Sequence, residues 1–575
     1  MRQQQPPDQI QHFGGPPETS PPPPLPPDHA SSSSSLRADD NNLITGLQQL
    51  QEGLKNLRIR SSVESSHMFI SEPALQRLVG DTVHDLLRDL LGDVEVEAAS
   101  VDRYAQIISQ EAFKLVAVFV DVKKEDRIIG LLDEGLRDSD LPFAKVSRFD
   151  ESTLALTTKH GVPINSLKSW DSKSLENLQI KQYRVLSPVF RRHEHYELGE
   201  HEILPFVHHD TESDSWPKVA GGFGEVYPVR IHRDHHDFGQ GDLPVAVKRM
   251  FRAGSFKHEQ KAYLDLGPSA HSYIIDLLFT YQYRKKFHLV FRWATGTLKD
   301  YWEINANPVI NPPFFTWNIQ QMTGLASGLG YIHEFKDPKT GAPRFGRHGD
   351  IKAQNILRFP FPCSPGFLKI ADLGLARVHS EDSRYNSDPK NVRCSPTYSP
   401  ADMKRGRPVS RKFDIWSLGC MYLDWITYLL LGYKAIKEFS DLRLDGSTSE
   451  FAEVREDTFY TANGEIVNPH VFVWVNKLKR QRHCSQMLHD ILDLIMKKMI
   501  LIPPEMRSSS QDVTRALEQI LARAQQDENY LVGPNPITGW THAPRGSCCA
   551  AEFRRTQAPS TRETWQTPKS RTWKV

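Results

Sequence analysis

His348-Gly-Asp-Ile-Lys-Ala-Gln-Asn-Ile-Leu357, followed closely by Leu368-Lys-Ile-Ala-Asp-Leu-Gly374, carries most of the chemical information in this chain. Each of two aspartates and one asparagine ends a short hydrophobic segment. Hard oxygen ligands of this kind hold Mg²⁺ against phosphates, while a separate carboxylate accepts a hydroxyl proton. Asp and Asn are also common turn formers. That property explains each residue singly, but not the order and spacing of the set.

Upstream, Val219-Ala-Gly-Gly-Phe-Gly-Glu-Val226 sets glycines between apolar residues. Such glycines permit a tight turn and a close approach of backbone N–H groups to phosphate. Val245-Ala-Val-Lys248 then reads as an alternating strand ending in a compact cation suited to phosphate oxygens. A helix after that strand carries Glu259, in Phe256-Lys-His-Glu-Gln-Lys-Ala-Tyr263, at the right distance to hold the lysine. Taken alone, Glu259 would be a solvated helix residue.

The ordered set resembles a eukaryotic protein kinase. Phe291-Arg-Trp-Ala-Thr-Gly-Thr-Leu-Lys-Asp-Tyr-Trp302 and the His-Gly-Asp-Ile-Lys run are similar in particular to divergent serine/threonine kinases of filamentous fungi. The resemblance covers a little over half of the chain. It implies an α+β, bilobal fold with an antiparallel β-sheet N-lobe and a mainly helical C-lobe, and use of ATP and Mg²⁺ on Ser/Thr hydroxyls of protein substrates. Position by position it implies that Gly221 and Gly224 cover the nucleotide phosphates, with Phe223 at the loop tip and Val219 in the first glycine position. Lys248 binds the α/β-phosphates and pairs with Glu259. Asp350 is the catalytic base, Lys352 steadies the transferring phosphoryl group, and Asn355 and Asp372 are the metal ligands. Val226, Ala246 and Leu357 sandwich the adenine, Phe291 lines its back wall, and the backbone from Arg292 through Trp293 to Ala294 bonds its edge. For Val226, Ala246 and Leu357, ordinary core packing is an equally open reading. Asp414 anchors the catalytic loop, and Arg507 pairs with Asp402 at the end of the activation segment. Lys352, with Ser395 where a threonine is usual, implies Ser/Thr rather than Tyr specificity.

The pattern departs in places. Val219 replaces a glycine, Leu373 a phenylalanine, and the segment ends Pro400-Ala-Asp402. Gly349 replaces the arginine that ordinarily receives an activation-loop phosphate, so activity is expected not to depend on phosphorylation between Asp372 and Asp402. A rival reading takes these departures as marks of a pseudokinase scaffold or signalling module. Against it, Lys248, Glu259, Asp350, Asn355 and Asp372 are all of the required type.

Around this domain, placed at 201–525, the composition changes. Residues 1–66 are rich in Pro, Gln and Ser, with Pro21–Pro27 and Ser31–Ser35, and read as a disordered tail. The proline run is either a linker or a polyproline ligand for a protein partner. Residues 67–200 read as a mainly helical accessory region, with helices at Leu75–Leu91, Tyr104–Val120 and Arg127–Leu136, serving either recruitment or structure. Residues 526–575 read as a disordered basic tail. The stretch between Tyr433 and Val473 reads as a charged insertion, a surface loop or a docking site.

Across 575 residues, 39% are hydrophobic and 25% charged, and the net charge is +1. That balance gives no electrostatic reason for a nucleic-acid or membrane partner. The six cysteines form no metal or disulfide pattern. With no signal peptide and no spanning segment, the expectation is an intracellular chain, cytoplasmic or nuclear.

Overall fold

The computed structural model describes residues 45–64, 66–92, 98–146, 155–168, 170–208, 219–220, 224–268, 270–362, 364–379, 395–406, 409–446 and 456–537. The proline run, the basic tail with Cys548 and Cys549, and the loop residues Gly221 and Phe223 lie outside these.

Helix formation begins earlier than composition suggests. Helix α1 (Gly46–Asn56) lies within the stretch read as a tail and buries Leu50 and Leu54. It meets α2 (Glu72–Leu91) closely: a Cβ at Gly46 would fall 2.3 Å from the Asp85 carbonyl carbon. On α2, Leu75, Val79, Val83, Leu86 and Leu87 form the buried stripe expected from their spacing. The expected Tyr104–Val120 helix is two helices, α3 (Ala98–Glu111) and α4 (Phe113–Asp121). The Asp138 carboxylate accounts for the break, accepting bonds from the Lys114 and Leu115 amides at 3.1 and 2.7 Å and so starting a new helix. Helices α5 (Ile128–Asp133) and α6 (Ser172–Lys181) complete the unit. Two hairpins accompany them, β1 (Ile59–Arg60) with β2 (Met68–Phe69) and β3 (Ala144–Val146) with β4 (Ala155–Thr157).

Next comes one mostly antiparallel sheet. Its strands are β5 (His195–Leu198), β6 (Phe206–Val207), β7 (Val219–Ala220), β8 (Gly224–Ile231), β9 (Leu243–Met250), β10 (Leu277–Tyr283) and β11 (Lys286–Arg292). They run β5-β10-β11-β9-β8-β6, with β7 paired to β8. Helix α7 (Ala253–Leu266) packs against this sheet between β9 and β10 in sequence. The boundary expected near residue 200 therefore cuts through the sheet, because β5 pairs in parallel with β10. An aromatic cluster of Phe190, Phe206, Phe279 and Tyr281 seals its outer face, Phe190 stacking on Phe279 at 4.2 Å.

The second lobe is helical: α8 (Leu298–Ile304), α9 (Pro312–His333), α10 (Lys412–Leu431), α11 (Tyr433–Gly446), α12 (Pro469–Lys479), α13 (Gln486–Leu494), α14 (Ser510–Gln526) and α15 (Glu528–Val532). Strands β12 (Gly296–Thr297), β15 (Ile356–Phe359) and β16 (Phe367–Ile370) form one small sheet, and β13 (Phe335–Lys336), β14 (Pro343–Arg347) and β17 (Arg377–His379) another. Helices α9 and α10 are buried on nearly all sides, as their uniformly apolar sequences require. The stretch after Tyr433 is a packed element rather than a loop: on α11 the Arg443 guanidinium is buried between Phe439 and Phe459 and pairs with Asp457 at 2.7 Å. Packing also continues past the expected end at 525, where Tyr530 and Leu531 of α15 are buried.

The short acid at the end of the activation segment does reach its partner. Arg507 donates to both Asp402 oxygens, at 2.8 and 2.9 Å, and to the carbonyls of Leu501, Ile502 and Lys412, so all five guanidinium N–H groups are used. Removing one member of so buried a pair strands the other. Arg507→Met and Asp402→Asn are each expected to cost about 3–5 kcal/mol of stability, read as a lower urea midpoint. Unchanged midpoints in both variants would contradict the assignment.

Candidate active site

The lobes meet at a cluster of charges. From β9, Lys248 sends its Nζ to Glu259 Oε1 and Oε2 at 2.7 and 2.9 Å and to Asp372 Oδ1 at 2.9 Å. Strand alternation decides this direction: Val245 and Val247 face the sheet's apolar cluster, so Ala246 and Lys248 face the other side. Glu259, on the second turn of α7, is fully buried. Asp372 occupies a left-handed backbone conformation, φ 65° and ψ 74°, and its carboxylate accepts from the Gly374 amide at 3.3 Å. A non-glycine residue is uncommon there and marks a site that the surroundings hold in place.

One cation faces two anions. Burial works against the Lys248 charge, but Glu259 and Asp372 outweigh it and hold its pKa above the ordinary lysine value. Burial pushes Glu259 up to about 6, Lys248 opposing and Asp372 adding to the shift. For Asp372 burial is outweighed by Lys248, and its pKa falls. The surplus negative charge suits a further cation.

The catalytic-loop residues sit nearby. Asp350 Oδ2 lies 2.9 Å from Lys352 Nζ and accepts from Asn355 Nδ2 at 3.0 Å. Its Oδ1 accepts from the Ser395 amide at 3.2 Å, and Lys352 donates to Ser395 Oγ at 2.7 Å. The Asn355 amide nitrogen also donates to the Asp350 carbonyl, at 2.8 Å, leaving its side-chain oxygen as the donor atom for a cation. The Asn355 carbonyl accepts from the Ala371 amide, which fixes its distance from Asp372. With Asp372, this gives one carboxylate and one amide oxygen. No group of three or more acidic, His or Cys side chains able to hold a metal exists among the described residues. So sparse a set of hard oxygens fits Mg²⁺, which takes one or two carboxylates plus water and phosphate, and excludes a dedicated protein cage.

Asp414 holds the loop from below. Its two oxygens accept from the His348 and Gly349 amides, at 2.7 and 2.8 Å, and Oδ2 lies 2.9 Å from His333 Nε2. Burial alone would raise its pKa; these bonds outweigh burial and lower it. His333 is the last residue of the mostly apolar helix α9. His348 Nε2 reaches the Ala371 carbonyl at 3.0 Å, tying the loop to the strand before Asp372.

β7 and β8 pair antiparallel, Val219 opposite Val226 and Ala220 opposite Glu225. Gly224 admits no side chain, since a Cβ would sit 2.3 Å from the Arg249 carbonyl oxygen. Ala246 pairs with Phe291 across β9 and β11, and Phe291 is buried. Val226, Ala246 and Leu357 are half-buried, as residues flanking a cleft should be. The Trp293 amide is committed to the Pro244 carbonyl at 3.2 Å, and the residue is 39% exposed, so within the expected hinge the Ala294 amide is the better donor to a bound base.

Comparison with known proteins agrees with this geometry. The chain is 27% identical over 281 residues to a probable receptor-like protein kinase of Arabidopsis thaliana, covering 47% of this chain and 38% of the relative. It is 28% identical over 251 residues to cyclin-dependent kinase 2 of Caenorhabditis elegans, covering 42% and 60%. It is 26% identical over 267 residues to serine/threonine-protein kinase SSN3 of Yarrowia lipolytica, covering 44% and 56%. The chain thus spans less than two thirds of the length of each of these relatives. A family model described as protein kinase domain matches residues 220–520, just over half of the chain, and the chain belongs to the protein kinase family.

Proposed function

We propose that this chain is an active serine/threonine protein kinase that transfers the γ-phosphoryl group of Mg·ATP to hydroxyls of protein substrates. The observation that carries the reading is the convergence of Lys248, Glu259 and Asp372, with Lys248 Nζ within 2.9 Å of both carboxylates. A scaffold that only binds partners has no need of so costly a buried cluster.

Asp350 orients the substrate hydroxyl and accepts its proton as the hydroxyl oxygen bonds to the γ-phosphorus. The bond from that phosphorus to the β–γ bridging oxygen breaks, and ADP leaves. Lys352, already beside Asp350, neutralises the transferring group, and Lys248 holds the α- and β-phosphates. Asn355 and Asp372 hold the Mg²⁺ ion, which when bound neutralises phosphate charge. Catalysis here is mostly positioning and electrostatics. The nearby Lys352 and Ser395, paired at 2.7 Å, support Ser/Thr specificity.

Phosphate transfer from labelled ATP to a generic protein tests this reading. Asp350→Asn is expected to lose about 10²- to 10⁴-fold in rate while still binding nucleotide. Wild type and variant equally inert with Mg²⁺ and with Mn²⁺ would favour the scaffold.

Activity independent of activation-segment phosphorylation is part of the same proposal. Gly349 stands in the place of the phosphate-receiving arginine, in a left-handed conformation at φ +86°, and a Cβ there would lie 3.2 Å from the Leu375 carbonyl oxygen. The segment's first strand, β17, is instead held by pairing with β14. Ser380, Ser383 and Ser387 lie outside the described residues. Phosphatase treatment before assay is expected to leave the rate within about twofold, since Gly349 offers no cation to receive a phosphate; a loss of tenfold or more would refute independence.

A further inference from the structure

Helix α7 has to be held in position for Glu259 to meet Lys248, and a kinase without a phosphate-receiving arginine needs another way to do this. The chain supplies one from outside the matched domain. Strand β5 lies at the edge of the sheet, Thr280 of β10 facing His195 across the ladder. Thr280 is buried, and its hydroxyl oxygen accepts from Gln260 Nε2 of α7 at 2.8 Å. The same oxygen lies 2.8 Å from His195 Nδ1. With Nδ1 unprotonated, a directed relay runs from Gln260 through Thr280 to His195. Gln260 adjoins Glu259 in sequence, and the His195 ring lies 5.8 Å from that of Phe256, one turn earlier on α7.

β5 is itself anchored. The His193 amide donates to the Leu278 carbonyl, the Thr280 amide to the Glu194 carbonyl, and Arg192 pairs with Asp276 at 2.9 Å. The segment that carries β5 and β6, residues 187–207, is the connector between the helical unit and the rest of the sheet, and its far side reaches that unit. There Ser61 Oγ and the Ser62 amide donate to the Leu204 and Phe206 carbonyls, and Glu64 pairs with Arg284. Phe69 of β2 meets the rings of His232 and His235 edge-on. On its activation-segment side α7 is also tied through His258 Nε2, which lies 2.7 Å from the Ala376 carbonyl and 2.6 Å from Arg377 Nη1. Gln260 and the residues after it on α7, through Leu266, line one wall of an open cavity of about 530 Å³.

We propose that His195, Thr280 and Gln260 are positioning residues, through which the connector from the helical unit holds α7 where Glu259 pairs with Lys248. The proposal rests on the kinase reading above and assigns the accessory unit a regulatory part in it: whatever loosens the docking of residues 46–207 on the sheet lowers activity.

The test uses the full chain and two readouts, steady-state kinetics and hydrogen exchange across residues 253–266. Loss of this relay, buried at Thr280 but exposed at His195, shifts a two-state helix by about 3- to 10-fold. His195→Ala and Thr280→Val are each expected to lower kcat by that factor, with a smaller change in KM for the peptide substrate, and to raise amide exchange in α7 but not in β9 or β11. The double variant is expected to be no worse than the more affected single variant, because both cut one relay. Thr280→Ser, which keeps the hydroxyl, is expected to restore both readouts to within about twofold. Unchanged α7 exchange in His195→Ala and Thr280→Val, or a failure of Thr280→Ser to restore it, would overturn the brace. If wild type were inert, the enzyme reading would fail while the exchange readout would still decide the brace.

Discussion

A single ammonium group shared by two carboxylates is the constraint from which the rest of this molecule follows. Lys248 comes from the sheet, Glu259 from the helix beside it and Asp372 from the other lobe. None of them is tolerable alone in a buried place: an unpaired buried charge costs several kcal/mol. Together they require that sheet, helix and second lobe keep a fixed relation. The surplus carboxylate charge leaves the cluster short of one cation, an electrostatic demand that a divalent metal ion would satisfy.

The helical lobe meets this demand by treating backbone as the object to be positioned. Asp414 spends both oxygens on consecutive amides of the catalytic loop and is itself backed by His333. His348 and the Asn355 carbonyl then fix the strand end that carries Asp372. Arg507 performs a comparable task at the far end of the activation segment, binding Asp402 and three carbonyls. At these two points buried charge is used for location rather than for net stability, and Asp414 and Arg507 have their oxygens and N–H groups fully bonded, which keeps their desolvation cost supportable.

How much of this was legible in the sequence depended on whether a function needs a residue type or only a neighbour. The convergence of Lys248, Glu259 and Asp372 could be expected from the ordered motifs, and the bonds of Asp414 to the loop and of Arg507 to Asp402 from the resemblance; the phosphate and metal roles given to them belong to the proposal. The relay through His195, Thr280 and Gln260 could not be read. Its members are ordinary polar residues, and the pairing of β5 with β10 joins segments far apart in the chain. Helix α1 was hidden differently: Leu47, Leu50, Leu54 and Leu57 keep a helical spacing, but the Gln, Ser and Pro around them lower the local average. The break between α3 and α4 depends on Asp138, which lies beyond both helices. Where a boundary is set by a distant carboxylate, periodicity runs straight through it.

Pairing with β5 leaves β10 without an open edge. The central claim, however, concerns the charges. The most direct measurement is a crystal structure of the chain with Mg²⁺ and a non-hydrolysable ATP analogue. The account predicts Lys248 Nζ in contact with the α- or β-phosphate while it keeps Glu259, with the metal on Asp372 and Asn355. Nucleotide bound elsewhere, or a Lys248 that touches neither phosphate nor Glu259 when nucleotide is present, would contradict it.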